Sequence, residues 1–217
     1  LTLKMKLVLT SVALIVLTII SLGTFSYQTM KTQAWDDIRS ESGNTAKAYS
    51  LGIGDWFKGR QDAITAMKEA IERNPNLDVV DRLKQTLTSG GFGLSFYGNE
   101  QGVMERQDPS LNKAGYDPRT RGWYKETVSA NKAITTKPYV SHTMQALVVT
   151  LTEPVRENGK IIGVTASDLF LSTLIDDVLD IPVPGKGYAM LLDVSNKIVV
   201  AHPNEKMTLE PISELGQ

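Results

Sequence analysis

The sequence predicts an α+β protein with an N-terminal transmembrane helix, a long helix beyond it and antiparallel-sheet modules, the second of them truncated. Three observations predict this. Residues Leu7 to Met30 carry no charge, an apolar stripe then recurs at helical spacing from Trp35 to Met67, and pairs of β-rich runs flank short turns that contain Asn or Gly.

Leu7 to Tyr27 is read as the spanning helix, because at about 1.5 Å per residue such a run exceeds the roughly 30 Å hydrocarbon core. A cleaved signal peptide is the alternative; it has a shorter apolar core and ends at an A-x-A-like site, which Ser21-Leu22-Gly23 matches poorly. Lys4 and Lys6 precede the span, whereas Lys31 is soon followed by Asp36 and Asp37. The positive-inside rule therefore puts the N-terminus in the cytoplasm and everything after the inner-membrane span outside it.

Beyond the membrane, Trp35, Ile38, Ser42, Thr45, Tyr49, Gly52, Trp56, Ala63 and Met67 form one stripe of a long helix, stopped at Asn74-Pro75-Asn76. Gly52, Gly54 and Gly59 each cost such a helix about 1 kcal/mol relative to alanine, which predicts a bend or close packing near them. Two readings stand for this helix: one that continues straight out of the bilayer and carries mechanical signals, or, for most of its length, one whose stripe packs on its own domain. A second helix is predicted over Asp78 to Leu87, ended by Gly90-Gly91.

Strands follow. Phe92 to Tyr97 and Val103 to Arg106 flank Gly98-Asn99-Glu100, while Leu147 to Arg156 and Lys160 to Leu169 flank Glu157-Asn158-Gly159. Between these hairpins Arg121 to Ala130 reads as a short helix with Thr120 as its N-cap. A third hairpin, Tyr188 to Asp193 with Lys197 to Ala201, reaches Pro203 much as the first reaches Pro109, a weak internal repeat. Pro182-Val183-Pro184-Gly185 marks the boundary between modules. The expected division is a cytoplasmic tip and transmembrane helix over 1–27, the long helix and a membrane-distal module over 28–182, and the start of a membrane-proximal module over 183–217. That last module shows one hairpin before Gln217, so the chain is expected to be part of a longer protein.

Composition excludes several functions. A net charge of −1 without a basic stripe argues against nucleic-acid binding. With no cysteine there is neither a disulfide framework nor a thiolate metal site, and His142 and His202 have no carboxylates at metal-motif spacing. Asp176, Asp177 and Asp180 lack the alternation of a calcium loop and read as a solvated helix face. No G-x-S-x-G, Walker loop or cysteine nucleophile occurs, so neither an enzyme nor a cofactor or metal is expected.

The chemistry concentrates in Tyr116-Asp117-Pro118-Arg119-Thr120-Arg121-Gly122-Trp123-Tyr124, with Tyr139 and Asp168 on later elements. An α-amino acid needs a bidentate cation for its carboxylate, and an anion with aromatic faces for its ammonium; Arg121 and Asp168 are of the right types. Arg121 and Trp123 stand two apart, so both reach one ligand only if Arg121 lies in the loop or first turn of the helix. Free N–H groups at that helix start would also favour a carboxylate. On residue chemistry alone a second reading stands, in which Trp123 and Tyr124 are core anchors, Arg121 a surface ion-pair partner and Asp168 a strand-end cap.

From about Gln28 to its end the chain resembles the double Cache (dCache) family of PAS-like extracytoplasmic sensor modules found in bacterial chemoreceptors, histidine kinases and cyclic-di-GMP enzymes. Tyr116, Arg121, Trp123, Tyr124, Tyr139 and Asp168, in that order and at matching separations, resemble the amino-acid-binding group. The resemblance implies that Arg121 and Trp123 hold a ligand carboxylate, that Tyr116 supports them, and that Tyr124, Tyr139 and Asp168 face the ammonium. Ser141 is a departure, since some relatives carry an acidic residue there; a hydroxyl brings no charge. The implied protein is a methyl-accepting chemotaxis receptor, usually a homodimer, that binds a small L-amino acid and signals in chemotaxis. The alternatives are the same sensor on a histidine kinase or diguanylate cyclase, a site for an amine or organic acid, and a module that binds a periplasmic protein.

Overall fold

One helix, α1 (Leu3–Arg73), spans 71 residues. It belongs to a computed structural model that describes residues 2–74, 76–183 and 187–216. Pro75 and the Pro184-Gly185 part of the expected module boundary lie outside the described residues. The chain divides into two units, Leu1–Ile53 and Gly54–Gln217.

The first unit is helical and contains a stretch long and apolar enough to cross a membrane, none of it buried against protein. Along the stripe Trp35 and Ile38 are 64% and 53% exposed, whereas Met67 is buried. In α1 the buried residues are Ile64, Met67 and Ile71.

In the second unit α1 ends against a six-stranded antiparallel sheet ordered β2-β1-β6-β5-β3, with β4 also paired to β5. The strands are β1 (Leu94–Asn99), β2 (Met104–Arg106), β3 (Ile134–Thr135), β4 (Tyr139–Val140), β5 (Leu147–Glu157) and β6 (Lys160–Phe170). The long β5–β6 hairpin turns at Asn158 and Gly159, both with positive φ (49° and 83°), the primed geometry that matches strand twist. Helix α2 (Val79–Gly90) is capped by Asp78, which accepts from Val80 N–H, and ends at Gly91 in the left-handed region.

Side chains alternate between the two faces of this sheet. On one face Met67 and Ile71 of α1 and Val79 and Leu83 of α2 pack with Tyr97 and Val155. Glu153 ties the same helix down, accepting from Thr65 Oγ1 at 2.6 Å and Gln61 Nε2 at 3.1 Å. On the other face Leu94, Phe96, Val164 and Ala166 pack against Trp123 and Tyr124 of α3 (Gly122–Ala130). Gly98 permits that approach, since a Cβ there would lie 2.6 Å from Pro118 Cβ.

Helix α4 (Leu171–Leu179) follows β6 and carries Asp176 and Asp177, with Asp180 as its C-cap. Beyond it, β7 (Leu191–Asp193) and β8 (Ile198–Ala201) form a separate two-stranded sheet. Val199 and Ala201 are nevertheless fully buried.

Candidate ligand-binding site

Register builds the site. Antiparallel pairing sets Leu94 opposite Asp168 and Asp168 opposite Thr150, while the next row sets Arg106 opposite Phe96 and Phe96 opposite Ala166. Directly opposed residues share a face, so Asp168 and Arg106 both rise on the side covered by α3. A small pocket, partly open to solvent, lies there. Its lining includes Tyr116, Arg121, Trp123, Tyr139, Ser141 and Asp168.

Six of the seven residues expected from sequence therefore meet in one cavity. Tyr124 does not line it: the residue sits in the core cluster, its ring 5.5 Å from Trp123 and edge-on to it. One step along a helix is about 100° of rotation, so Trp123 and Tyr124 present different sides to the cluster they share. Thr120 is not the helix cap either. It closes the 3₁₀ turn Pro118–Thr120 and donates to Asp117 O, while Arg121, extended at φ −86° and ψ 149°, occupies the cap position without a side-chain bond. Arg121 thus lies just before the first turn, the placement that lets it share a cavity with Trp123.

Asp168 is 1% exposed and is held by hydroxyls. Thr150 Oγ1 donates to Oδ1 at 2.7 Å and Ser141 Oγ donates to Oδ2 at 2.9 Å. Because the Thr150 proton points at the carboxylate, the 2.7 Å contact between Tyr139 Oη and Thr150 Oγ1 has the tyrosine as donor. Burial pushes the Asp168 carboxyl up to about 6, opposed by the bonds from Thr150, Ser141 and Tyr139 and by the field of Arg106. Burial also pushes the Tyr139 hydroxyl well up, so it stays a neutral donor.

Arg106, Thr150 and His142 complete the surroundings. His142 lines the pocket with its ring 6.1 Å from that of Tyr116. The Tyr116 ring carries two guanidiniums, Arg106 at 4.6 Å and Arg121 at 5.4 Å. Neither has a carboxylate within ion-pair distance among the described residues. Arg119, by contrast, is exposed and fully engaged by Asp117 at 2.7 Å. The sequence signal for Arg106 was the alternation Met104, Glu105, Arg106, which puts Met104 and Arg106 on one face of a strand.

A family model described as a Cache domain matches residues 26–217. The chain belongs to the Cache family. Among curated proteins, this Cache chain is 30% identical over 179 residues to the methyl-accepting chemotaxis protein PscA of Pseudomonas syringae pv. tomato, covering 82% of the chain and 28% of PscA. It is 27% identical over 210 residues to the methyl-accepting chemotaxis protein PctB of Pseudomonas aeruginosa, covering 96% of the chain and 33% of PctB. The chain thus spans about a third of the length of the curated relatives it matches. Among solved structures, the ligand-binding domain of the Pseudomonas fluorescens chemoreceptor CtaA in complex with L-serine superposes with a TM-score of 0.69 at 27% identity, over 77% of this chain and 73% of that one. The ligand-binding domain of P. aeruginosa PctB in complex with L-Arg gives 0.65 at 28% identity, over 73% and 68%. These relatives are chemotaxis receptors and chemoreceptor ligand-binding domains, and over the matched part the α+β fold is shared with the solved domains.

Proposed function

We propose that this Cache chain is the extracytoplasmic sensor of a transmembrane chemoreceptor and that it binds a small L-amino acid in the pocket over β6. The observation that carries this reading is that Arg121 and Asp168 line one cavity and that, among the described residues, neither is paired to an opposite charge. A zwitterion supplies both missing partners: its carboxylate accepts from Arg121 beside Trp123, and its ammonium donates to Asp168 beneath Tyr139. Tyr116 supports Arg121 through its ring, and Ser141 keeps Asp168 oriented. Tyr124 then acts through packing behind Trp123.

The lysines before the apolar stretch support a cytoplasmic tip followed by an inner-membrane span from Leu7 to Tyr27, together residues 1–27. The long helix and distal module then occupy 28–182 outside, and 183–217 open a proximal module. The receptor works as a homodimer, and binding biases α1 because β5 holds that helix through Glu153, Thr65 and Gln61. Such coupling requires the ligand to prefer one of two states.

Thermal denaturation of the full chain in lipid nanodiscs tests the reading, with amino acids, their deamino analogues and their methyl esters as probes. An L-amino acid at 100 times its dissociation constant should add about 2.7 kcal/mol of stability, and each analogue should lose most of that effect. Equal stabilisation by a deamino acid or an ester would contradict the clamp.

A further inference from the structure

Arg106 is 1% exposed, and its Nε is buried with no partner among the described residues. Its other nitrogens reach two neutral acceptors, Asn112 Oδ1 at 3.0 Å and Thr143 Oγ1 at 3.4 Å. Burial lowers its pKa, yet a guanidinium keeps its proton in proteins. A buried cation without an anion is a costly arrangement, and a tyrosine face with two neutral oxygens does not supply the opposite charge. The nearby acids are engaged elsewhere: Asp117 chelates Arg119, and Asp108 caps a 3₁₀ turn. Asp168 feels Arg106 only at a distance and is satisfied by Thr150 and Ser141. Arg106 lies behind the pocket lining, against Tyr116 and Thr143, so the pocket and the layer behind it hold two guanidiniums against one carboxylate, a surplus of one positive charge that a net-neutral zwitterion leaves in place.

We propose that Arg106 is a specificity-determining residue, and that it selects an α-amino acid bearing a second carboxylate, such as aspartate or glutamate. The long contact to Thr143, itself part of the pocket lining, is the one that the ligand's side-chain carboxylate replaces. Arg121 and Asp168 keep the α-groups, and the bound ligand's net charge of −1 balances the site. The proposal rests on the amino-acid reading above and adds the side-chain class.

Titration calorimetry of the full chain in nanodiscs with L-aspartate, L-asparagine, L-glutamate and L-glutamine tests it, because each acid and amide pair differs in charge at nearly constant shape. At least one acid should bind at least about tenfold more tightly than its amide. Arg106→Gln should bring that ratio to within about twofold. Amides that bind as well as the acids, or a ratio that survives in Arg106→Gln, would overturn the proposal and leave the amino-acid reading intact. If no amino acid of any class binds, both fail. Should Arg106→Gln not fold, the wild-type acid-to-amide ratio alone decides.

Discussion

Hairpin β1–β2 runs into Arg106 and then a 3₁₀ turn whose first free N–H, on Ser110, is capped by Asp108. Hairpin β7–β8 runs into His202 and then a 3₁₀ turn whose Lys206 N–H is capped by Asn204. Two residues before each cap stands a basic or titratable side chain, but the outcomes differ. Among the described residues Arg106 is buried without an anion, whereas His202 is only partly buried and shares a 3.2 Å hydrogen bond with Tyr188. The first hairpin is docked on β6, which delivers Asp168, and is roofed by α3, which delivers Arg121 and Trp123. The second pairs with no further strand among the described residues. The lesson is that the hairpin with its capped turn is scaffold; a site arises where neighbouring elements close over it.

The largest expected effect is on stability. Phe96 sits at the centre of the first hairpin's core, 2% exposed and edge-on to Trp123 at 5.0 Å. Phe96→Ala should cost about 3 to 5 kcal/mol, whereas Val199→Ala in β8, which removes far less volume from a two-stranded sheet, should cost about 1 kcal/mol. Denaturant unfolding followed by tryptophan fluorescence measures both. Equal costs would mean that the second hairpin is as deeply integrated as the first.

A smaller effect follows from Asp168. Its carboxyl is pushed up to about 6 from an ordinary value of 3.8, so the folded chain holds that proton more firmly than the unfolded chain does. This contribution makes stability fall as pH rises through that window, and the ionised carboxylate costs stability at pH 7. Asp168→Asn should therefore raise the melting temperature of the ligand-free chain by about 4 °C at pH 7 and lose that advantage near pH 4. In the wild type, amino-acid affinity should weaken about tenfold per unit below pH 6, because only the ionised carboxylate pairs with an ammonium. Affinity that stays flat down to pH 5, or a variant no more stable at pH 7, would separate Asp168 from the site.

Much of this was legible in the residues. Asn158-Gly159 between alternating runs placed the β5–β6 hairpin, and Asp78 with Gly90-Gly91 bracketed α2, because turn and cap chemistry is local. The two-residue strands Ile134–Thr135 and Tyr139–Val140 were not foreseen, since so short a run carries no period. Thr120 was misassigned because the turn at Asp117 competes for the same hydroxyl. The candidate site was legible as a set of residue types, but not its supports. Thr150 and Arg106 acquire their roles from cross-strand register, which sets Thr150 beside Asp168 and Arg106 beside Phe96. Tyr124 was placed in the site on family pattern, and helix rotation turns it into the core.

Calorimetric titration of Arg121→Ala and Asp168→Ala with the best-binding amino acid, with circular dichroism to establish folding, tests the clamp most directly. For a micromolar ligand, binding is worth about −8 kcal/mol, and leaving one buried charge unpaired costs roughly 3 to 5 kcal/mol. Both variants should therefore fold and show no measurable binding. Folded variants that bind within about threefold of the wild type, less than 1 kcal/mol, would return Arg121 and Asp168 to purely structural roles.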